Sequence, residues 1–376
     1  MIKFSNKYIR FTLLLVIFSL FPWTELRGES SDSIGSAATG CSSTRWISQL
    51  IENGFRIHDT TVCYPKFPRF ALNVYNWGDR TFNSYDTSYV VGTGKNWKLL
   101  GKSYTWLETQ TMLFPKSSLI NMHSKLFSDA GGYISFMAVS LGYMWNIDNI
   151  FGQDTKRHTF TLDFTCSRFF VNYSNVSSEG GMISNRFGEY NGGKKFHYDF
   201  NDVNIKTSNL DTYYFFNHRK YSHAAAYSFS KYQLRTAGTA IIGLNISEQD
   251  INMDFSSLPA DILNESPLKH STYRLHYKDL SVLGGYARNW ALKPRRWLLN
   301  MTLIGALGYK RTHEDATDGV RNMVAQGFRV SLSAVYNHRA LFASAQLKCY
   351  GSLYYNSNFT HFNTLSSLTF IVGMRF

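Results

Sequence analysis

The densest run of reactive side chains in the sequence is Asn217-His218-Arg219-Lys220-Tyr221-Ser222-His223. A serine beside a histidine is the minimum for an activated acyl-transfer nucleophile, because an imidazole must take the hydroxyl proton as the oxygen attacks. Ser222 with His218 or His223 is therefore the catalytic candidate, as in a membrane-embedded hydrolase. No partner carboxylate is identifiable, and serine near histidine is common, so the run does not specify an enzyme. Gly92-Thr93-Gly94-Lys95 lacks the four-residue gap and the following Ser/Thr of a phosphate loop, and reads as a turn before a strand. His313-Glu314-Asp315-Ala316-Thr317-Asp318-Gly319 offers carboxylates to calcium at a spacing wrong for an EF-hand, and reads as a solvated loop. The four cysteines, Cys41, Cys63, Cys166 and Cys349, have neither zinc nor C-x-x-C spacing. Cys41 and Cys63 are the candidates for one disulfide in an oxidising compartment. No metal and no cofactor are expected.

The elements around these residues are strands. From Leu368 the even positions Leu368, Phe370, Val372, Met374 and Phe376 are apolar, while Thr369, Gly373 and Arg375 lie between them and Ile371 breaks the pattern. Strict alternation gives a strand with one apolar and one polar face. Trp297, Leu299, Met301, Leu303, Gly305, Leu307 and Tyr309 share such a face, with an aromatic residue at each end. At about 3.3 Å per residue before tilt, that span is close to the height of a bilayer's apolar band. Twelve such strands are expected, near 67–77, 95–112, 118–128, 132–146, 157–173, 208–217, 235–247, 276–290, 296–310, 324–336, 340–353 and 364–376. Short connections are expected at Asp129-Ala130-Gly131 and at Asn337-His338-Arg339, and a long sixth one before residue 235.

The fold class expected is all-β, a transmembrane antiparallel β-barrel of about twelve strands. A soluble β-sandwich or lipocalin-like barrel alternates too, but turns its apolar face inward. The decisive prediction is that Phe370, Leu303 and Leu332 point outward. Polar-parity residues Asp163, Asn300, Arg329, Gln346 and Lys348 then line the lumen, either as a network that plugs it or as the lining of a narrow pore.

Export is read from the first residues. Lys3, Lys7 and Arg10 precede the uncharged, mostly apolar stretch Phe11–Trp23, as in a secretory signal. A signal peptide is placed at 1–28, a periplasmic segment with a short amphipathic helix over Trp46–Phe55 at 29–66, and the barrel at 67–376. Aromatic residues make up 16% and charged residues 17%, and the mean hydropathy is -0.24. These values suit strands whose lipid-facing residues alternate with polar ones. The net charge of +13 points to an anionic partner. No nucleic-acid-binding signature accompanies it. Outer-membrane lipid and lipopolysaccharide, an anionic solute, and barrel-assembly machinery engaging Phe376 are the expected partners, in a bacterial outer membrane.

Several motifs resemble those of a family. Phe82-Asn83-x-Tyr85-Asp86-x-x-Tyr89-Val90-x-Gly92-Thr93-Gly94-Lys95-Asn96-Trp97-Lys98 resembles an N-terminal signature of the domain of unknown function 4421 family of the Bacteroides group. Tyr213-Tyr214-x-Phe216-Asn217, Ser222-x-Ala224-Ala225, Gln233 and Ala237-Gly238-Thr239 resemble its central motifs, with Thr239 where serine is expected. Gly285-Tyr286-Ala287-x-Asn289 and Leu307-Gly308-Tyr309-Lys310 resemble later ones. The resemblance runs from about Pro68 to Phe376. It implies an exported barrel and brings no assigned activity. The expected functions are a narrow solute or lipid channel with a polar, basic lumen, a plugged structural or surface-interaction barrel, or the Ser/His hydrolase.

Overall fold

The computed structural model describes residues 45–53, 62–66, 68–70, 72–73, 84–115, 118–136, 139–147, 156–264, 270–317, 319–355 and 359–376. The signal segment 1–28 and Cys41 lie outside them.

Twelve antiparallel strands close into a barrel. They are β1 (Trp97–Leu113), β2 (Phe127–Phe136), β3 (Val139–Asn146), β4 (Lys156–Thr165), β5 (Phe169–Glu179) and β6 (Val203–Phe215). β7 (Ala237–Asp254), β8 (Thr272–Lys293), β9 (Trp297–Thr312), β10 (Asn322–His338), β11 (Leu341–Tyr355) and β12 (Thr360–Arg375) complete the wall. Each pairs with the next, and β12 returns to β1, with Thr360 opposite Leu113 and Arg375 opposite Lys98. The seam ends where Trp97 and Phe376 exchange main-chain hydrogen bonds of 3.0 Å. Closure leaves no unpaired barrel edge, which a bilayer would penalise.

The apolar face points out. Phe370 is 55% exposed, Leu303 44% and Leu332 40%. A water-soluble barrel would bury these side chains, so the face belongs against lipid. On β8 the outward positions mark the band: Leu280, Val282, Gly284 and Tyr286 lie between Lys278 at one boundary and Arg288 at the other. Ile371, the break in the terminal pattern, points inward and is buried.

Connections at the Leu113 end are long, apart from 356–359, and those at the Trp97 end short, apart from 216–236. In bacterial barrels the long loops are outer and the short turns periplasmic, and by that pattern the Leu113 end corresponds to the outer mouth. A helix, α1 (Trp46–Glu52), occurs where a short one is expected. Its Leu50 packs with Val62, Leu72 and Phe136 at the inner end. Cys63 is disulfide-bonded, while Cys166 and Cys349 are free thiols.

Several strand expectations need correction. At 67–77 the described residues 68–70 and 72–73 are helical, and the wall begins only at Trp97. The region 118–128 holds a short strand, Leu119–Ser124, that extends the sheet beyond the wall. Asp129-Ala130-Gly131 is no connection but lies within β2, paired to both neighbours. The spans 132–146 and 157–173 each contain a tight reversal, so each contributes parts of two strands.

Candidate functional site

The lumen is where the polar face of every strand converges, so it is the place to look for a site. Its two ends are built differently. At the outer mouth, Met112 and Phe114 near the end of β1 join one apolar cluster with Ile251 and Met253 of β7, on the far side of the barrel. Between them lie Phe187, Phe200 and Phe255 from the outer connections. The Phe200 and Phe255 rings stack at 5.0 Å, and Phe187 meets Phe255 edge-on at 5.5 Å. Side chains from opposite walls in one cluster mean that packed hydrocarbon crosses the mouth.

At the inner end the connection 216–236 folds into the barrel. It contains a single π-helical turn, Ala224–Ser228, and a short strand, Lys231–Gln233, which pairs with Val90–Gly92. Ala225, Ala226 and Phe229 pack against Leu100, Leu298, Val335, Phe342 and Ile371. Ile371 faces inward for this reason. One helical turn leaves its carbonyls without partners inside the turn, and the wall supplies donors. Ser333 Oγ donates to the Ala226 carbonyl at 3.0 Å, Lys98 Nζ to that of Ser228 at 2.5 Å, and Arg375 Nε to that of Phe229 at 2.6 Å. Tyr227 OH donates to Asn300 Oδ1 at 2.7 Å, and Asn289 Nδ2 to the Ser222 carbonyl at 2.9 Å. Phe229 ends the turn in the left-handed region, at φ 58, an unusual conformation for a bulky residue. It stacks on Phe342 at 4.6 Å, and Arg375 lies over the other ring at 4.4 Å.

Between the two closures lies a cavity of about 460 Å³. Asp163, Arg329, Gln346 and Lys348 line it, as does Lys102. Asn300 sits lower, buried between Tyr227, Tyr221 and Asn289. Arg329 Nη1 meets Asp211 Oδ1 at 2.5 Å and donates to Tyr213 OH at 2.7 Å. Asn245 donates to the same Asp211 at 2.7 Å. Asn172 donates to Asp163 at 2.5 Å. Farther out, Lys310 faces Asp279 and Arg157 faces Asp129, each at 3.6 Å. Cations and carboxylates are therefore interleaved around the wall. The lumen is polar, and the basic character expected of it is slight: Lys102, Arg157, Lys310, Arg329 and Lys348 line the cavity against Glu108, Asp163, Asp211 and Asp279.

The nucleophile candidates lie in the plug. Ser222 is fully buried, and its Oγ accepts a hydrogen bond from the Ala225 amide at 3.2 Å. Its own amide donates to Gln233 Oε1 at 3.0 Å. His223 is packed among the rings of Phe170, Phe215 and Tyr227. His218 lies beyond the end of β6, near the Tyr214 ring. Burial, and then the nearby Arg168, hold the His218 imidazole below its usual range. Among the described residues no hydrogen bond joins Ser222 to either histidine, so the neighbours in sequence do not form a charge-relay pair. Ser222 instead helps fold the plug. Sequence reasoning did not single out Lys98, Asn289, Ser333 and Arg375 as the wall's grip on it. Their inward parity was the available signal, but nothing local said what they would hold.

No curated protein matches the chain in sequence. Solved outer-membrane barrels resemble it in shape. The outer-membrane protease OmpT from Escherichia coli has a TM-score of 0.35 at 7% identity, with 75% of this chain and 97% of that one covered. The translocator domain of the autotransporter NalP from Neisseria meningitidis has a TM-score of 0.32 at 10% identity, covering 82% and 98%. The toluene transporter TodX from P. putida has 0.27 at 8%, covering 79% and 97%. The family model described as Domain of unknown function (DUF4421) matches residues 84–376, which takes in every wall strand, the plug and the outer connections, and the chain belongs to that family.

Proposed function

We propose that this chain is a bacterial outer-membrane barrel closed to free diffusion, a structural or surface-interaction protein that works through its outer end. The observation that carries this reading is the occupation of both ends of the lumen by the chain itself, with apolar packing at the mouth and a hydrogen-bonded plug below. An open porin keeps a water-filled channel, whereas a plugged barrel leaves its ends to do the work. Lys206 and Arg311 at the outer rim suit anionic lipopolysaccharide as a neighbour, whereas Arg274 and Lys278 there are paired with Asp250, Asp315 and Glu248. The test is reconstitution of the full chain into planar bilayers, with outer-membrane fractionation and heat-modifiable gel migration to establish the folded barrel. Folded protein should give no steady conductance. Regular open-channel steps in every preparation would sink the proposal.

A second reading, a gated conduit for a small polar solute, has one observation in its favour, the polar cavity of about 460 Å³ between the closures. Uptake of such a solute into proteoliposomes without steady conductance would favour it.

A further inference from the structure

Beyond the apolar band, the outer surface of the wall carries a cluster that the barrel itself does not need. Glu248 on β7, His276 on β8 and His313 just after β9 each bring one possible ligand atom into the cluster, with all three atoms within 4.8 Å of one another. Glu248 Oε1 lies 3.6 Å from His276 Nε2 and 3.7 Å from His313 Nε2. Neighbouring ligands of a tetrahedral zinc ion stand about 3.4 Å apart, given bonds near 2.1 Å. The two carboxylate-to-imidazole edges are thus within a few tenths of an ångström of a zinc site.

Two further features point to a ligand. His313 Nε2 is shielded from solvent and has no hydrogen-bond partner. A lone pair or N–H buried in that condition costs free energy unless something engages it. His276 is oriented from behind, since its Nδ1 lies 2.7 Å from Asp315 Oδ1. With Nδ1 engaged by Asp315, Nε2 on the Glu248 side is the atom left to a metal, as where a carboxylate stands behind a metal-binding histidine. Asp315 is itself held by Arg274 at 2.9 Å, and Arg274 by Asp250. The simpler reading is a surface ion network, with Lys278 Nζ at 3.6 Å from Glu248 as its cation. Lys278 is 58% exposed, however, and can swing aside as a divalent cation arrives.

We infer that Glu248, His276 and His313 form a transition-metal site, with Zn²⁺ the best match to two imidazoles and one carboxylate. Water completes the coordination. The ion ties the β9–β10 connection to the barrel's outer wall, above the lipid.

The test is calorimetric titration of the full chain, folded in detergent, with ZnCl₂, together with the absorption spectrum of the Co²⁺ form. One equivalent should bind, with a tetrahedral Co²⁺ band, and neither Mg²⁺ nor Ca²⁺ should compete. Glu248→Gln and His313→Ala should each weaken binding at least tenfold. Asp315→Asn should weaken it by about 10–100-fold, and His197→Ala should change nothing. Diethylpyrocarbonate footprinting of the unmutated protein gives a readout that needs no variant: Zn²⁺ should protect His276 and His313 but not His197. No saturable binding, binding that survives both Glu248→Gln and His313→Ala, or the absence of selective protection would overturn the assignment.

Discussion

The two ends of the lumen solve one problem by opposite means. The outer mouth is crossed by hydrocarbon, with Phe187, Phe200 and Phe255 among wall side chains such as Met112 and Ile251. The inner end is held by directed bonds, with wall donors reaching the carbonyls of residues 226, 228 and 229. Apolar packing is tolerant of detail and is lost by volume, whereas a hydrogen-bonded plug is lost when a single donor leaves a buried acceptor empty. The outer closure should therefore fail gradually through cavities, and the inner one through specific residues.

The largest effect should come from removing both closures. Replacing 217–235 with a short turn leaves the outer cluster in place and should give no steady conductance alone. Replacing the outer connection 181–201 as well should give open-channel steps in planar bilayers. Conductance from the single replacement would show that the mouth does not seal. Next, Phe255→Ala removes a fully buried ring from the centre of the outer cluster and should cost about 3–5 kcal/mol in urea unfolding from lipid vesicles. Arg375→Met keeps much of the side-chain volume but drops the bonds to Phe229 and Asn337. It should cost about 2–3 kcal/mol, and protease should then cut the 216–236 connection more readily. Ser222→Ala loses one acceptor within the plug and should cost about 1 kcal/mol or less. Fluorophosphonate labelling should be equally absent before and after the change; labelling that depends on Ser222 would revive the nucleophile.

Much of the barrel was legible because side-chain parity is a local property. Strands such as β9, β10 and β12 show it directly, and so do the inward positions of Asp163, Arg329 and Lys348. The number twelve, by contrast, was reached through errors that cancelled. The spans 132–146 and 157–173 concealed two reversals, since Met-Ala at 137–138 and Cys-Ser-Arg at 166–168 carry no turn-forming glycine or proline. Gly131-Gly132 suggested a turn where there is a strand. An added Cβ at Gly131 would lie 2.1 Å from the Tyr143 carbonyl, so the glycine serves close strand approach. The plug was invisible for another reason. A length anomaly in the sixth connection was readable, but its entry into the lumen depends on hydrogen-bond partners from β1, β8, β9, β10 and β12, spread across the chain. The histidine–glutamate cluster is of the same kind, since residue 248 meets residues 276 and 313 only through strand register.

The register of the seam has a mechanical consequence. Lys98 and Arg375 are direct cross-strand partners, both turned inward and each only 2% exposed. Two like charges facing each other across a strand pair push it apart. Here the backbone oxygens of Ser228 and Phe229 receive one cation each. Withdraw that segment and the first and last strands would repel at the very point where the cylinder is joined, so the stopper also acts as the clasp.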